Sequence, residues 1–186
     1  MAMTIEQKKV ITPKFRVSFP NVFNPKSFDG QPAKYSVTML FDKGADLSAM
    51  KTAAKNAAIE KWGPDQKTWP AFKNPVFRDG NEMGDPSYKD QIVVRASAKM
   101  RPGVVNADRS VIVEDDGLFY AGCYARASLI AFAYDNKGNK GVGFALQNLQ
   151  KMGDGEPLSG RKSAADEFDA VGVSASGAND DADDFI

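Results

Sequence analysis

Basic, hydroxyl and aromatic side chains recur at alternate positions in four stretches of this chain. Lys14 and Arg16 flank Phe15, and Lys34 opens a run containing Ser36 and Thr38. Arg95, Lys99 and Arg101 surround Ser97, and Tyr124 and Arg126 precede Ser128. Basic groups that can follow a phosphate backbone, set among rings on which bases can stack, are what binding to unpaired nucleic acid without sequence readout requires. A duplex hides the faces of its bases, so rings of this kind imply a single strand. Tyr120, Trp69 and Phe72 join Tyr124 as candidate stacking platforms. Arg16, Lys34, Arg95, Lys99, Arg101 and Arg126 are the candidate phosphate contacts.

Other chemistries are narrowed by what the chain lacks. It has no histidine and one cysteine, Cys123, which removes Ser-His-Asp and Cys-His catalysis and His-based zinc sites. Cys123 lies among Gly122, Tyr124 and Ala125 and reads as a small buried side chain. The glycines at 138, 141 and 143 are followed by no helical pattern, and no Gly-Lys-Ser/Thr loop occurs, so they read as a hairpin and no nucleotide cofactor is expected. Glu114, Asp115 and Asp116 could hold magnesium in a nuclease, yet adjacent carboxylates before Gly117 read more readily as a solvated turn. A metal-dependent nuclease and a protein-only interaction or assembly module are the alternatives to DNA binding. Magnesium-dependent cleavage would reveal the first, and failure to bind any oligonucleotide at low salt the second.

Formal neutrality conceals a strong asymmetry. The 24 basic residues all lie at or before Lys162 together with 17 of the 24 acidic ones, which leaves this body at +7. Residues 163–186 carry the other seven carboxylates and no Lys or Arg. A basic body suggests an anionic partner, and the acidic segment suggests an interaction role. We therefore expect a binding domain over 1–162 and a flexible acidic tail over 163–186, whose Ala, Ser, Gly, Asp and Asn composition offers little to bury. The tail closes on Asp180, Asp181, Asp183, Asp184, Phe185 and Ile186, an apolar pair after four carboxylates, expected to engage protein partners. The first nine residues are charged without an apolar stretch, so no secretory signal is expected and the compartment expected is the cytoplasm, away from membranes.

The elements that must position these residues are mostly strands. Alternation of Phe15, Val17 and Phe19 with polar neighbours predicts a strand over 10–19, followed by a connection rich in proline and asparagine. A second strand is expected over 34–41, with Tyr35, Val37, Met39 and Phe41 on one face. Asp46 as a cap, dense alanine and a Gly63-Pro64 stop predict a helix over 46–62. Residues 63–87 read as a loop-rich excursion. Further strands are expected over 88–101, 111–113, 118–134 and 142–149, the last two joined by a hairpin at 136–141. The small residues Ala125, Ala127, Leu129, Ala131 and Ala133 on one face of the long strand suit the crowded interior of a small barrel. Phe132 and Tyr134 fall on the other face. The pattern gives a mainly antiparallel β barrel or sandwich with one inserted helix.

Several segments resemble a known group. Lys-Phe-Arg-Val-Ser-Phe-Pro-Asn-Val-Phe (14–23), Lys-Tyr-Ser-Val-Thr-Met-Leu-Phe (34–41), Tyr-Ala-Gly-Cys-Tyr-Ala-Arg-Ala-Ser (120–128), Phe-Ala-Tyr-Asp-Asn (132–136) and Gly-Val-Gly-Phe-Ala-Leu-Gln-Asn-Leu-Gln-Lys (141–151) resemble the single-stranded-DNA-binding proteins of tailed phages. The resemblance implies an OB-fold barrel that coats single-stranded DNA without catalysis, in phage DNA replication, recombination or repair, inside an infected bacterial cell. It also implies that the acidic tip docks onto replication or recombination proteins. The tip here reads Asp-Asp-Phe-Ile, without the proline that precedes the last Phe in the bacterial pattern.

Overall fold

The computed structural model describes residues 2–158 and 167–172; the tip at 180–186 lies outside them. A short helix, α1 (Ile5–Lys8), leads into strand β1 (Lys9–Ile11), and β2 (Phe15–Lys26) and β3 (Lys34–Asp42) follow as an antiparallel pair. Helix α2 (Ser48–Trp62) comes next, then the two-residue β4 (Arg78–Asp79). The chain continues through β5 (Gln91–Ala98), β6 (Gly103–Val105), β7 (Tyr124–Asn136) and β8 (Asn139–Gly153). Pairing runs β2–β3–β5–β8–β7 and returns from β7 to β2, so five strands close a barrel. All its seams are antiparallel except β5–β8, which is parallel at Ala96↔Phe144 and Ser97↔Ala145. This is the Greek-key barrel of an OB fold, with α2 inserted after the second barrel strand.

Period-2 patterning explains the interior. Val37, Met39 and Phe41 of β3, Val94 and Ala96 of β5, Ala125, Ala127, Leu129 and Ala131 of β7, and Phe144, Leu146 and Leu149 of β8 are buried together. Phe15 meets Phe41 edge-on at 5.5 Å between ring centroids. Helix α2 closes the barrel with Met50, which fills the interior, and with Ala53, Ala54, Ala57 and Ala58, small residues that let its axis approach the strands. Its start follows Asp46, whose carboxylate accepts from the backbone N–H and hydroxyl of Ser48, and Gly63 ends it at φ 89°.

The departures from the sequence pattern have local causes. The first expected strand divides at Pro13, and β2 then runs through Pro20 and Pro25, which the sequence assigns to a connection. A bulge between Ser18 and Asn21 accommodates the first proline, whose missing N–H would interrupt a regular ladder. The expected strand over 118–134 begins only at Tyr124, because Gly122 turns the chain at φ 115°. A Cβ there would stand 2.1 Å from the Glu156 carbonyl oxygen, so this crossing of two backbones needs glycine. Residues 111–113 contribute only the bridge Val105↔Val111, and the strand forms instead at Gly103–Val105 beside β8. The hairpin turn tightens to Lys137 and Gly138, both with positive φ (51° and 83°), the backbone of a two-residue type I′ connection. No helix among the described residues is long and apolar enough to cross a membrane.

Candidate nucleic-acid interface

The even face of β3 and the odd face of β5 look away from the barrel interior. Register places Ser36 beside Ser97 and Thr38 beside Arg95, and these side chains floor an open groove of about 560 Å³. Leu40, Tyr88 and Val93 form a small second apolar cluster on the same face, where Val93 departs from the alternation of its strand. The groove is walled by rings. Phe19 enters from the bulge of β2, Phe28 from the β2–β3 connection, and Phe132 and Tyr134 from β7. Phe19, Phe28 and Phe132 are 60%, 43% and 41% exposed. Three solvent-facing phenylalanines around one groove are a concentration that burial alone does not produce. Among them stand Lys26, Arg78 and Arg95. The Arg95 guanidinium lies 4.8 Å from the Phe28 centroid and the Lys26 ammonium 5.5 Å from it, both within cation–π range.

Local backbone chemistry aims these rings. Strict alternation would bury Phe19 behind Phe15 and Val17, but the bulge holds it at φ 43° and turns it outward. Ser18 is buried instead, its hydroxyl 3.3 Å from that of Tyr88. On the hairpin, Phe132 pairs with Gly143 and Tyr134 with Gly141. A Cβ at Gly143 would stand 2.8 Å from the Phe132 ring tip, and one at Gly141 2.5 Å from the Tyr134 hydroxyl oxygen. The two glycines thus give the rings a flat bed, on which their centroids lie 6.2 Å apart at 48°. Gly-Val-Gly, which failed as a phosphate loop, is a ring-seating motif.

A family model described as that of the Enterobacter phage Enc34 ssDNA-binding protein matches residues 8–186. The chain belongs to this family. A putative protein p50 of Acyrthosiphon pisum secondary endosymbiont phage 1 is 33% identical to it over 168 residues, covering 85% of this chain and 91% of that protein. The solved structure of the Enc34 single-stranded DNA-binding protein in complex with ssDNA superposes with a TM-score of 0.70 at 21% identity, covering 85% of this chain and 97% of that one. The single-stranded DNA binding protein gp2.5 of bacteriophage T7 gives 0.61 at 14%, covering 90% and 98%. At those identities the two structures speak for the shared fold.

Within this Enc34-family fold the ten body residues singled out from sequence separate into groups. Arg95 alone among them lines the groove. Lys34 flanks it, paired in register with Lys26. Lys99 and Arg101 lie beyond the end of β5, where Arg101 donates to the Phe23 carbonyl at 2.9 Å. Arg16, Tyr120 and Tyr124 gather around the turn before β7. Arg16 donates to the Gly122 and Glu156 carbonyls, and Lys14 sits 5.2 Å over the Tyr124 ring. The Tyr120 hydroxyl donates to Gly155 O at 2.9 Å and lies 3.1 Å from Asp154. Burial pushes the Tyr120 phenol up from its ordinary value, whereas hydrogen bonding from Lys151, then Tyr120, holds the Asp154 carboxyl below its own. Lys151 is itself buried, its ammonium 2.6 Å from Asp154. Arg126 donates to Gln150 at 2.8 Å, and Gln150 in turn donates to the Asn106 and Ala107 carbonyls. Trp69 and Phe72 pack against α2, Phe72 at 5.3 Å from the Trp62 ring.

Sequence reasoning did not assign Phe19, Phe28, Phe132 or Tyr134 to the interface. The last two were legible: a turn at 137–138 places 132 opposite 143 and 134 opposite 141, and rings opposite glycines are seated rather than crowded. Phe19 depends on a bulge and Phe28 on a loop, neither of which alternation encodes. Glu114, Asp115 and Asp116 form a short 3₁₀ turn closed by Gly117, with Asp116 accepting from the Val113 N–H and Glu114 accepting from Asn24.

Proposed function

We propose that this chain is a non-catalytic single-stranded-DNA-binding protein whose groove takes the strand. The observation that carries the reading is the convergence of Phe19, Phe28, Phe132 and Tyr134 with Lys26, Arg78 and Arg95 in one open channel. Bases stack on the rings, each contact worth about 1–3 kcal/mol, while the cations meet phosphates. Arg95 covers the face of Phe28 in the free protein, so a base arriving there displaces the guanidinium from the ring and frees it for the backbone. Ser36, Thr38 and Ser97 offer hydroxyls without a fixed pattern of donors and acceptors, which suits coating with little sequence preference. The names of the Enc34 and T7 relatives support the same substrate class. The role is in phage DNA replication, recombination or repair in the cytoplasm of the infected host, with the acidic segment 163–186 recruiting protein partners.

Titration of fluorescent single-stranded and duplex oligonucleotides of one sequence, at two salt concentrations, tests the reading. The single strand binds more tightly, and log K falls against log salt with a slope of about −0.7 for each phosphate neutralised. Equal affinity for duplex at matched salt would refute stacking as the basis of binding.

A further inference from the structure

A second, smaller pocket of about 230 Å³ opens beside the groove. Val76 and Val142 line both, so the two meet along these side chains. The excursion after α2 walls each in turn, with Trp69, Phe72 and Phe77 in the pocket and Arg78 in the groove. Phe144, which lines the groove, also holds Phe77 edge-on, the ring centroids 6.1 Å apart at 76°. The opposite wall is the face of α2 carrying Ala54 and Ala58. The Trp69 indole N–H donates to the Gly63 carbonyl at 2.8 Å, which sets the plane of that ring before any ligand arrives. Among the described residues the charged side chains of the lining are Lys51 and Lys55, exposed and one helical turn apart on α2; no carboxylate lines the pocket and neither lysine makes an ion pair. Lys51 lies 5.9 Å over the Phe77 ring, repeating on another aromatic the arrangement of Arg95 over Phe28 in the groove.

Rings with cations beside them, on a surface continuous with the groove, are the components that binding to an unpaired strand uses. The pocket is open. A base can therefore lay one face on its apolar wall and keep its polar edge in water, which avoids the cost of burying nitrogen and oxygen without partners. We propose that this pocket is a further base subsite, reached by the strand as it leaves the groove past Val76 and Val142. The base stacks among Trp69, Phe72 and Phe77, and the phosphates beside it meet Lys51 and Lys55. Lys51 then leaves the face of Phe77 for the backbone. An apolar peptide would use the rings alone, whereas a strand uses the rings, both lysines and the junction with the groove. The inference rests on the groove taking a single strand, and it extends the path of that strand beyond the groove.

The chain has two tryptophans, Trp62 and Trp69. Trp69 lines the pocket, Trp62 packs on Phe72 at 5.3 Å between ring centroids, and neither lines the groove. Tryptophan emission therefore reports on the pocket, and the anisotropy of an end-labelled oligonucleotide reports on binding as a whole. The test titrates the full chain with thymidine oligonucleotides lengthened one residue at a time, labelled for anisotropy and unlabelled for emission. The shortest strands that bind leave the emission unchanged. Past a threshold length the emission is quenched, and there Kd tightens about 5- to 150-fold, the gain from one stacked base. Lys51→Ala with Lys55→Ala makes the salt slope shallower by about 1.4 for strands past the threshold, two phosphates' worth, and leaves shorter strands with wild-type affinity. Constant emission at saturation with the longest strand, or an unchanged slope in the double variant, would overturn the inference and leave the pocket to a protein ligand, while binding seen by anisotropy would keep the groove reading intact. Quenching already by the shortest strand that binds would make the pocket part of the primary contact and would overturn it too. No change in anisotropy at any length at low salt would refute the groove reading and the inference with it.

Discussion

Replacing Phe132 by alanine probes the groove at the ring whose support is best defined. Full burial of a phenylalanine side chain is worth about 1.5–3 kcal/mol, and Phe132 is 41% exposed. The stability at stake is therefore about 1–2 kcal/mol, a fall of about 5 °C in Tm for a chain of this size. The loss in binding should be larger in its own assay: one stacked base is worth about 1–3 kcal/mol, or about 5- to 150-fold in Kd. Fluorescence anisotropy with a thymidine oligonucleotide at two salt concentrations separates the terms, because loss of a ring leaves the salt slope unchanged. Gly143→Ala supplies the control. Its methyl would meet the ring tip at 2.8 Å, so it should weaken binding by displacing Phe132, with a fall in Tm no larger than that of Phe132→Ala. In the Phe132→Ala background it should change Kd by less than about twofold, since the glycine acts through the ring. Wild-type affinity in Phe132→Ala, or an undiminished effect of Gly143→Ala in that background, would refute the assignment.

Arg95→Ala should weaken binding of every sequence and reduce the salt slope by about 0.7, whereas Arg126→Ala, whose guanidinium is tied to Gln150 away from the groove, should leave Kd within about twofold in the same titration. Asp154→Asn removes the partner of the buried Lys151 and should lower Tm by a few degrees at pH 7. Because the folded Asp154 carboxyl titrates below its ordinary 3.8, its stabilisation is present above that pH and is lost as pH falls through the folded value, so melts of the two proteins should converge in acid. Deleting residues 163–186 removes seven carboxylates and should raise affinity for single strands most at low salt, where screening extends to about 30 Å at 0.01 M; an unchanged low-salt Kd would show that this charge does not act on the groove.

The barrel was legible where alternation is strict. Val37, Met39 and Phe41, and Ala125 through Ala131 at odd positions, face inward as their period requires. It was illegible where one backbone passes close to another or where a residue is inserted. Gly122 turns against Glu156, 106 positions after the Arg16 that bridges the same two carbonyls, and no local pattern announces such a crossing. The interface was harder still. Of the basic residues singled out, Arg95 lines the groove, whereas Arg16, Arg101 and Arg126 meet backbone carbonyls or an amide in the fold. Charge in a sequence does not reveal which cations the structure has already engaged. The rings that wall the groove owe their exposure to a bulge, a loop and two glycines, which only the geometry displays.

The seams of the barrel are unequal. Strands β7 and β8 pair continuously from Ala125 and Lys151 to Asn136 and Asn139 apart from one shift, and β3 pairs with β5 from Tyr35 to Asp42. The joins between these two sheets are short: Phe15↔Ala125 and Arg16↔Tyr124 on one side, Ala96↔Phe144 and Ser97↔Ala145 on the other. The barrel is thus two extensively paired plates joined along two short seams, and the groove straddles both plates. Phe19, Phe28 and Arg95 ride on the β2–β3–β5 plate, and Phe132 and Tyr134 on the β7–β8 plate. Any rotation between the plates would change the distance between the two sets of rings without disturbing either set.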